Sequence, residues 1–347
     1  MLTILYTVLI FGTLILIHEL GHYLFARLFD VEIHEFALGM GPKLLSRVSK
    51  KTGIRYSLRA IPFGGYVSME GEDGDSENSR AFCNKATWKR MIITSAGAMM
   101  NLLLGVILII IYVGTFKQFG TTVVAKTEDS VLAEQVQTGD EIVEIGGSRV
   151  YTYTDLIYEI HRQGIEPVDV TVLRDGKEIV IKNVQFPVST SDAIASGTMD
   201  FVVYGKEKKD VGTGEFFKHV YSQTRLSCKM VYESIWDLVT GRYGMEAVSG
   251  PVGTGQVIGD AVEADRENEN SHYLLYLCSL ITINLGLFNL LPIPALDGGR
   301  LFFQFIELIR RKPINRKYEG YIHAAGMVLL LLFMVFITFK DIIKLFA

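Results

Sequence analysis

The sequence predicts a polytopic α-helical membrane protein with four transmembrane helices, a membrane-associated β-like loop on the cytoplasmic side, and an extracytoplasmic α+β domain. Its 347 residues are 49% hydrophobic and 21% charged, too apolar for an ordinary soluble enzyme and too charged for membrane helices alone. Four stretches have about the 20 apolar residues that a bilayer span requires. The apolar content and only 8 prolines exclude disorder and collagen. The net charge of −4 gives no sign of a nucleic-acid partner.

The apolar stretches divide the chain into eight expected segments. In order, they are transmembrane helix 1 (1–30), the β-like loop (31–90), transmembrane helix 2 (91–113), the extracytoplasmic domain (120–188), an amphipathic helix with a linker (210–272), transmembrane helix 3 (273–300), a cytoplasmic loop (301–320) and transmembrane helix 4 (321–346). Apolar residues recur with helical spacing over 214–240. This spacing predicts a helix that lies on the outer leaflet or packs on the spans.

Lysine and arginine are concentrated in two of the segments between spans. The loop between the first two spans has ten of them between residues 43 and 90, and the loop before the last span has six between residues 300 and 317. Segment 114–272 instead has 15 basic and 25 acidic residues. Because basic residues mark cytoplasmic loops, both chain termini and segment 114–272 are expected on the outer side of the membrane.

The first span contains three neighbouring ionisable residues in an H-E-x-x-H motif. His18 and His22 are four residues apart, so both imidazoles project from one face of a helix. Two neutral imidazoles at this spacing bind one zinc ion, and the adjacent Glu19 can act as general base on water that the metal activates. The alternative is a chance pattern, or histidines satisfied by helix packing. Ionisable groups inside a span are costly, which favours the functional interpretation.

A second motif ends the third span. Residues Asn289–Gly299 read N-L-L-P-I-P-A-L-D-G-G, and the two prolines break the helix at membrane depth. Irregular backbone at that depth persists only where protein buries it or a wet cavity adjoins it. Asp297 is therefore a candidate third zinc ligand, although this motif alone also allows an aspartate in a helix exit turn. Glu32 and Glu35, past the first span, are weaker candidates for the same role.

The two motifs together resemble those of the site-2 protease family of intramembrane zinc metalloproteases, and the similarity extends over nearly the whole chain. Within the family, the chain resembles the bacterial branch that releases anti-sigma factors and clears signal-peptide remnants. The resemblance implies one catalytic Zn²⁺ held by His18, His22 and Asp297, with Glu19 as general base and Asn289 against the substrate backbone. It also implies a zinc metalloendopeptidase of the bacterial cell (inner) membrane. Its substrates would be single-pass membrane proteins, trimmed beforehand in their ectodomains.

Residues 31–73 predict β structure. Ile54–Arg59 alternates in polarity, Lys50–Gly53 has the composition of a preceding turn, and Pro62–Tyr66 is expected to interrupt the structure. The plain interpretation is a cytoplasmic hairpin. The family resemblance implies a β element that reaches the membrane and offers an edge to which extended substrate adds as a strand, and residues 54–60 are the expected edge.

Two polar residues of the other spans have structural interpretations. Gly97–Asn101 in the second span has a small-xxx-polar pattern that favours close helix packing, and a hydrogen bond from Asn101 across the interface is the lesser alternative. His323, near the start of the last span, is expected at the membrane interface. A position beside the zinc ligands is its alternative.

Residues 121–188 predict a small β-rich module. Its signals are strand-like Thr121–Lys126, the run Gly139–Gly147, a helical segment Tyr153–Arg162, and the strands Val168–Arg174 and Glu178–Val184 around the hairpin turn Asp175-Gly176. This order resembles a single PDZ domain, chiefly through the G-D-E-I-V-E-I-G-G run. The sequence differs from the usual PDZ pattern at Ser130–Val136, where a proline and an A-G-L-like turn are usual. The resemblance therefore does not imply that the domain binds peptide ends. In the family such a domain excludes substrates with intact ectodomains. A spacer is the alternative.

Two other functions compete with proteolysis. A membrane zinc transporter would also place histidine and aspartate between spans, but it needs ligands along a path and no paired general base. A PDZ-bearing membrane scaffold would leave the three ionisable residues of the first span unexplained. The sequence therefore favours the protease.

Overall fold

The computed structural model describes residues 2–72, 74–126, 135–191, 194–242, 248–268 and 272–346. The chain separates into two compact units. We call residues 1–108 with 228–347 the helical unit, and residues 109–227 the β-rich unit. Each is described by itself.

Four long helices confirm the four predicted spans. They are α1 (Leu2–Leu28), α2 (Thr87–Thr115), α6 (Tyr273–Leu290) and α8 (Arg316–Phe346), and each is long and apolar enough to cross a membrane. A helix satisfies its own backbone hydrogen bonds, which is what a lipid environment demands of these sequences. Helix α2 extends past both expected limits of its span, 91 and 113, whereas α1 ends two residues before the expected limit at residue 30. Helix α6 is the shortest of the four.

The end of the third span differs from expectation. Helix α6 stops at Leu290, and after a short non-helical stretch a new helix, α7 (Asp297–Arg310), begins. The first half of the segment expected as the loop 301–320 is therefore helical. An acidic residue in the first turn, here Asp297, favours a helix start because the N-terminal end of a helix carries partial positive charge.

The loop between the first two spans folds into a sheet, as predicted. Strands β1 (Ile33–Val48) and β2 (Arg55–Met69) pair, and the chain reverses between them at the expected turn, where Gly53 has a φ of +72°. Strand β2 continues through Pro62–Tyr66, so the predicted interruption there is wrong. The strand bends instead, because Gly64 adopts a φ of +88° that residues with a side chain rarely take.

The bends give the sheet more rows than two straight strands would have. Phe36 lies opposite Tyr56 on one side and opposite Val67 on the other, so segment 33–38 lies between the two halves of β2. Segment 43–48 also lies against 55–59. Segment 55–59 is consequently an interior row. In the described part of the chain, segments 43–48 and 65–69 each have a neighbour on one side only, so the expected edge at 54–60 is wrong.

The described part of the β-rich unit contains antiparallel strands, one short α-helix of its own, and parts of the long helices that begin at Thr87 and Thr213. Its elements are β3 (Gln118–Lys126), β4 (Glu141–Ile145), β5 (Ser148–Arg149), α3 (Tyr153–Gln163), β6 (Val168–Arg174), β7 (Lys177–Val184), β8 (Val188–Ser191), β9 (Ile194–Gly197) and β10 (Val202–Glu207). The main sheet has the order β10-β3-β4-β6-β7, β5 pairs with β4, and β8 with β9 forms a separate hairpin. Because β10 pairs with β3, the compact unit extends past residue 188, the expected end of the domain.

Buried aliphatic residues of the sheet and of α3 form the core of this unit, including Val124, Ile142, Ile145, Leu156, Ile160, Val170 and Val172. The departure from the PDZ pattern at 130–136 falls mostly on residues 130–134, which lie outside the described residues. Segment 210–272 contains two helices, α4 (Thr213–Thr240) and α5 (Pro251–Glu267). The first matches the predicted helix over 214–240, and the second includes residues expected as an exposed linker.

Candidate metal and catalytic site

Helices α1 and α2 approach each other closely beside the H-E-x-x-H motif. A Cβ at Gly21 would lie 2.4 Å from the carbonyl oxygen of Ala96, so a larger residue would force the helices apart. On the facing helix, a Cβ at Gly97 would lie 2.4 Å from His22 Nε2 and 2.8 Å from His18 Nε2. The small residues therefore let α2 pass directly across the imidazole pair, as small residues do where membrane helices pack.

Three donor atoms converge at this crossing. His18 Nε2 and His22 Nε2 are 3.2 Å apart, and Asp297 Oδ2 lies 3.0 Å from the first and 3.2 Å from the second. Tetrahedral zinc with bonds of about 2.0–2.1 Å places its ligand atoms about 3.3–3.4 Å apart, close to these separations. Asp297 Oδ2 is buried and receives no well-directed hydrogen bond from the described residues. The donor set and its spacing fit a zinc ion.

The loop before Asp297 is shaped by residues with unusual backbone requirements. Ala295 has a φ of +81°, a left-handed conformation that costs energy for any residue with a Cβ. Its N–H donates to Nδ1 of His323 over 3.1 Å. A Cβ at Gly298 would lie 2.0 Å from the carbonyl oxygen of Leu291. The glycine therefore lets the loop fold back, and His323, expected at the interface, holds the loop that carries Asp297.

The Nδ1 atoms of His18 and His22, which do not face Asp297, face α2. His22 Nδ1 lies 2.8 Å from the carbonyl oxygen of Ile93, and His18 Nδ1 lies 3.3 Å from the side-chain amide of Asn101. Partners at this position orient the rings and leave Nε2 for the metal. The sequence interpretation assigned Asn101 to packing. Its spacing of four residues from Gly97, matching the spacing of the two histidines, is the signal that could have found it.

A polar cavity of about 450 Å³ opens at the site. His18, Glu19, His22, Asp297 and Arg300 line it together with the sheet segment 65–69. A Cβ at Gly65 would lie 2.8 Å from Glu19 Cγ, so the sheet edge lies directly beside the predicted general base. Asn289, in the last turn of α6, is half-buried and does not line this cavity.

A second cavity of about 300 Å³ adjoins the first. The two share Glu72, Phe82 and Arg300 in their walls, and Arg300 Nη1 lies 2.5 Å from Glu72 Oε1. The second cavity is also lined by the charged side chains of Arg90, Glu307 and Glu319. Residues of the two basic loops therefore line a cavity that shares walls with the cavity at His18, His22 and Asp297.

The weaker acidic candidates do not reach the site, so their assignment as a third ligand is wrong. Glu35 accepts hydrogen bonds from Ser57, Arg59 and Lys43 at 2.5, 3.2 and 3.3 Å. Burial alone would raise the pKa of Glu35, but these hydrogen bonds outweigh it and lower the pKa to about 2. Glu32 accepts a hydrogen bond of 2.8 Å from the side chain of Asn78. Both carboxylates therefore stabilise the sheet region.

An H-E-x-x-H helix with a carboxylate as third donor, and a glutamate in the same wet cavity, defines the chemistry of a zinc hydrolase of peptides. The sequence model of peptidase family M50 matches residues 6–333, and the chain belongs to this family, the site-2 proteases. It is a zinc metalloprotease, and zinc is its cofactor. Family membership thus favours the enzyme over the transporter and scaffold alternatives.

Curated relatives match over their full lengths. A Clostridium acetobutylicum protein with the provisional name of a zinc metalloprotease is 36% identical over 338 residues, 97% of this chain and 96% of the relative. The zinc metalloprotease RasP of Bacillus licheniformis is 29% identical, covering 99% of each chain. The regulator of sigma-W protease RasP of Bacillus subtilis is 28% identical, again over 99% of each. The similarity therefore extends over nearly the whole length of this chain and of these relatives.

Proposed function

We propose that this enzyme hydrolyses peptide bonds within or near the transmembrane segment of single-pass membrane proteins in a bacterial cell membrane. The observation that carries the proposal is the meeting of His18, His22 and Asp297 between apolar helices, beside a polar cavity that contains Glu19. The sigma-W regulator among the relatives supports anti-sigma factors as one substrate class. Signal-peptide remnants are a second proposed class, which follows from the family resemblance alone.

His18, His22 and Asp297 would hold the ion through Nε2, Nε2 and Oδ2. Bound zinc polarises the scissile carbonyl and lowers the pKa of its water to about 7. Glu19 takes a proton from the attacking water and delivers it to the leaving amine as the C–N bond breaks, so the proton count balances. The hydrogen bonds that the two histidines make to α2, and the loop contact at His323, keep the three ligands in place.

The position of the site along α1 supports access of water from the cytoplasm. His18 lies 16 residues past Leu2, about 24 Å at 1.5 Å per residue, which places it toward the end of the span. The adjoining cavity is lined by residues of the basic loops, which the charge distribution assigns to the cytoplasm. Both termini would then lie outside.

The sheet segment 65–69 is the proposed docking edge for substrate. Carbonyls of a helical substrate are occupied by their own hydrogen bonds, so the helix must unwind before water can attack. An unwound strand can add to an edge that has a neighbour on one side only. The interior position of 55–59 excludes the segment first expected for this role. Asn289 remains proposed as a contact to the substrate backbone farther along the strand.

Proline substitutions on the two edges of the sheet test this assignment. Tyr66→Pro and Ser68→Pro each remove an N–H from the segment beside Glu19, whereas Leu45→Pro does so on the opposite edge. Cleavage should fall at least tenfold for one of the first two variants, with zinc content unchanged, and should persist for the third. Equal cleavage by all three variants would contradict the docking edge.

The β-rich unit is proposed to be a PDZ-like domain that excludes substrates with intact ectodomains. The run over 139–147 forms the turn and strand β4 in the middle of the sheet, which supports the PDZ interpretation. Gln118 lies opposite Glu207, so removing 119–206 joins two neighbouring points of the chain. The shortened enzyme should cleave a reporter with an untrimmed ectodomain that the full chain leaves intact. Without such a gain, the unit is a spacer.

A single-span reporter without its ectodomain tests the main proposal. The purified enzyme is incubated with it in detergent, and the masses of the products locate the cleaved bond. We expect a cut inside the transmembrane segment or at its border. A cut confined to the soluble part of the reporter would contradict intramembrane proteolysis.

A further inference from the structure

We propose that Asn101 is a positioning residue that holds His18 in its zinc-binding tautomer, by accepting a hydrogen bond from Nδ1–H through its side-chain carbonyl oxygen. The inference rests on the proposed ligand set, because it requires His18 to present Nε2 to the ion.

The environment of Asn101 demands a polar partner. The residue is fully buried in an apolar helix, and its side-chain nitrogen lies 3.3 Å from His18 Nδ1. Its Oδ1 is buried without a hydrogen-bond partner among the described residues. A buried amide oxygen left in this way costs free energy, so the contact with His18 is the place where its polarity can be used.

The tautomer of His18 decides which amide atom faces the ring. Nε2 points at Asp297 Oδ2 and at the other imidazole, so in a neutral ring that binds metal the single proton is on Nδ1. An amide NH₂ opposite this N–H would place two donors together. Turning the amide by 180° exchanges its oxygen and nitrogen, and the choice between these orientations follows from the hydrogen-bond network. The turned amide gives Oδ1 the donor that it lacks.

The second histidine shows the same arrangement with a different acceptor. His22 Nδ1 faces the carbonyl oxygen of Ile93, and a backbone carbonyl can only accept, so this ring has its proton on Nδ1. Ile93, Gly97 and Asn101 are spaced by four along α2, as the two histidines are along α1. Helix α2 therefore supplies a backbone acceptor, Ile93, for His22 and a side-chain acceptor, Asn101, for His18. Gly97 leaves room for the ion between the two rings.

An amide suits this position better than a carboxylate for a membrane span. It accepts the hydrogen bond without adding a further charge to an apolar helix, where a charged side chain is costly. Partners that orient metal-binding histidines typically contribute about 10–100-fold to metal affinity. A residue that only packs would contribute through its shape and would not depend on an acceptor oxygen.

Zinc affinity of the purified full-length protein, measured by competition with a chelator, tests the inference independently of proteolysis. Asn101→Leu removes the acceptor at similar size, and its affinity should fall about 10–100-fold. Asn101→Asp keeps an acceptor oxygen and should recover most of this loss. If the leucine variant does not fold, Asn101→Ser replaces it in the test. The shorter serine side chain cannot reach His18, so the zinc affinity of this variant should fall by the same factor. Thr282→Val, a fully buried polar-to-apolar change on α6, is the matched control and should bind zinc normally.

Wild-type affinity in Asn101→Leu or Asn101→Ser would overturn the inference. Equal losses in the leucine and aspartate variants would also overturn it, because shape and not the acceptor would then matter. His18→Ala separates this outcome from failure of the ligand set. If His18→Ala still binds zinc at wild-type affinity, the proposed ligands are wrong, whereas its loss of zinc beside an unaffected Asn101→Leu rejects the role of Asn101 alone.

Discussion

Two buried carboxylates of the β-rich unit, Asp140 and Asp155, have different partners from Asp297 of the helical unit. In the β-rich unit, Asp140 accepts two hydrogen bonds of 2.7 Å from Arg174, and Asp155 accepts one of 2.8 Å from Arg225. In the helical unit, Asp297 faces two imidazoles, and no lysine or arginine among the described residues forms an ion pair with it. A carboxylate paired with a guanidinium already has its counter-charge, whereas a carboxylate opposite two imidazole nitrogens can bind a metal ion together with them. The comparison therefore separates the structural acids Asp140 and Asp155 from the proposed ligand Asp297.

Asp297→Ala should have the largest effect. Zinc affinity should fall by more than the roughly 10–100-fold expected for a partner that only orients a ligand, and cleavage should be lost. Thermal unfolding of the zinc-free protein should change little, because no internal cation loses its partner. Metal analysis and chelator competition measure the first result. Wild-type zinc affinity in Asp297→Ala would show that Asp297 is not a ligand and would contradict the proposed difference between Asp297 and the structural acids.

Gly97→Ala should have the second largest effect, because the added methyl group would occupy space beside the Nε2 atoms of both imidazoles. We expect at least a tenfold loss of zinc affinity. Gly114→Ala on the same helix is the matched control, since a Cβ there meets nothing within 4 Å. That change should be neutral or stabilising by about 0.5–1 kcal/mol, as expected for glycine to alanine in a helix. Similar behaviour of the two variants would show that the close approach at Gly97 is unimportant.

Arg225→Ala should produce a smaller effect, confined to the β-rich unit. It leaves the fully buried Asp155 without its cation, and breaking a buried pair costs about 3–5 kcal/mol. Arg225 is 27% exposed, so we expect about 1–3 kcal/mol after allowing for screening by solvent. Hydrogen exchange of α3 in the full-length protein measures this, and zinc affinity should not change. Unchanged exchange protection of α3 in Arg225→Ala would show that Asp155 does not depend on Arg225 for its stability.

Lowering the pH should have the smallest effect, a local loss of stability around Asp140. Hydrogen bonds from Arg174 hold the pKa of Asp140 below its ordinary value of 3.8, and burial opposes them only in part. Since the folded pKa is lowered, the stabilisation is present above pH 3.8 and is lost as the pH falls below that value toward the folded pKa. Exchange protection of β4 should therefore decrease in this range. Asp140→Asn should flatten the dependence, and an unaltered profile in that variant would contradict it.

The sequence predicted the features that depend on local pattern. Four apolar spans and the H-E-x-x-H motif follow from composition and spacing, and the structure has helices at those positions with Asp297 beside the histidines. Other features depend on distant partners. The interior position of 55–59 requires both 33–38 and 43–48 to pair with it. The contact of Asn101 forms only when α2 packs on α1, and that of His323 only when α8 packs on the loop before Asp297. Local propensity contains none of these contacts.

The most direct test of the account compares the wild-type enzyme with Glu19→Gln. Both purified proteins are assayed for bound zinc and for cleavage of the single-span reporter in detergent. The account predicts about one zinc per chain in each protein, because Glu19 is not a ligand, and a loss of turnover of about 10²–10⁴-fold in the variant, the usual contribution of a general base. Full turnover by Glu19→Gln with zinc bound would contradict the central claim.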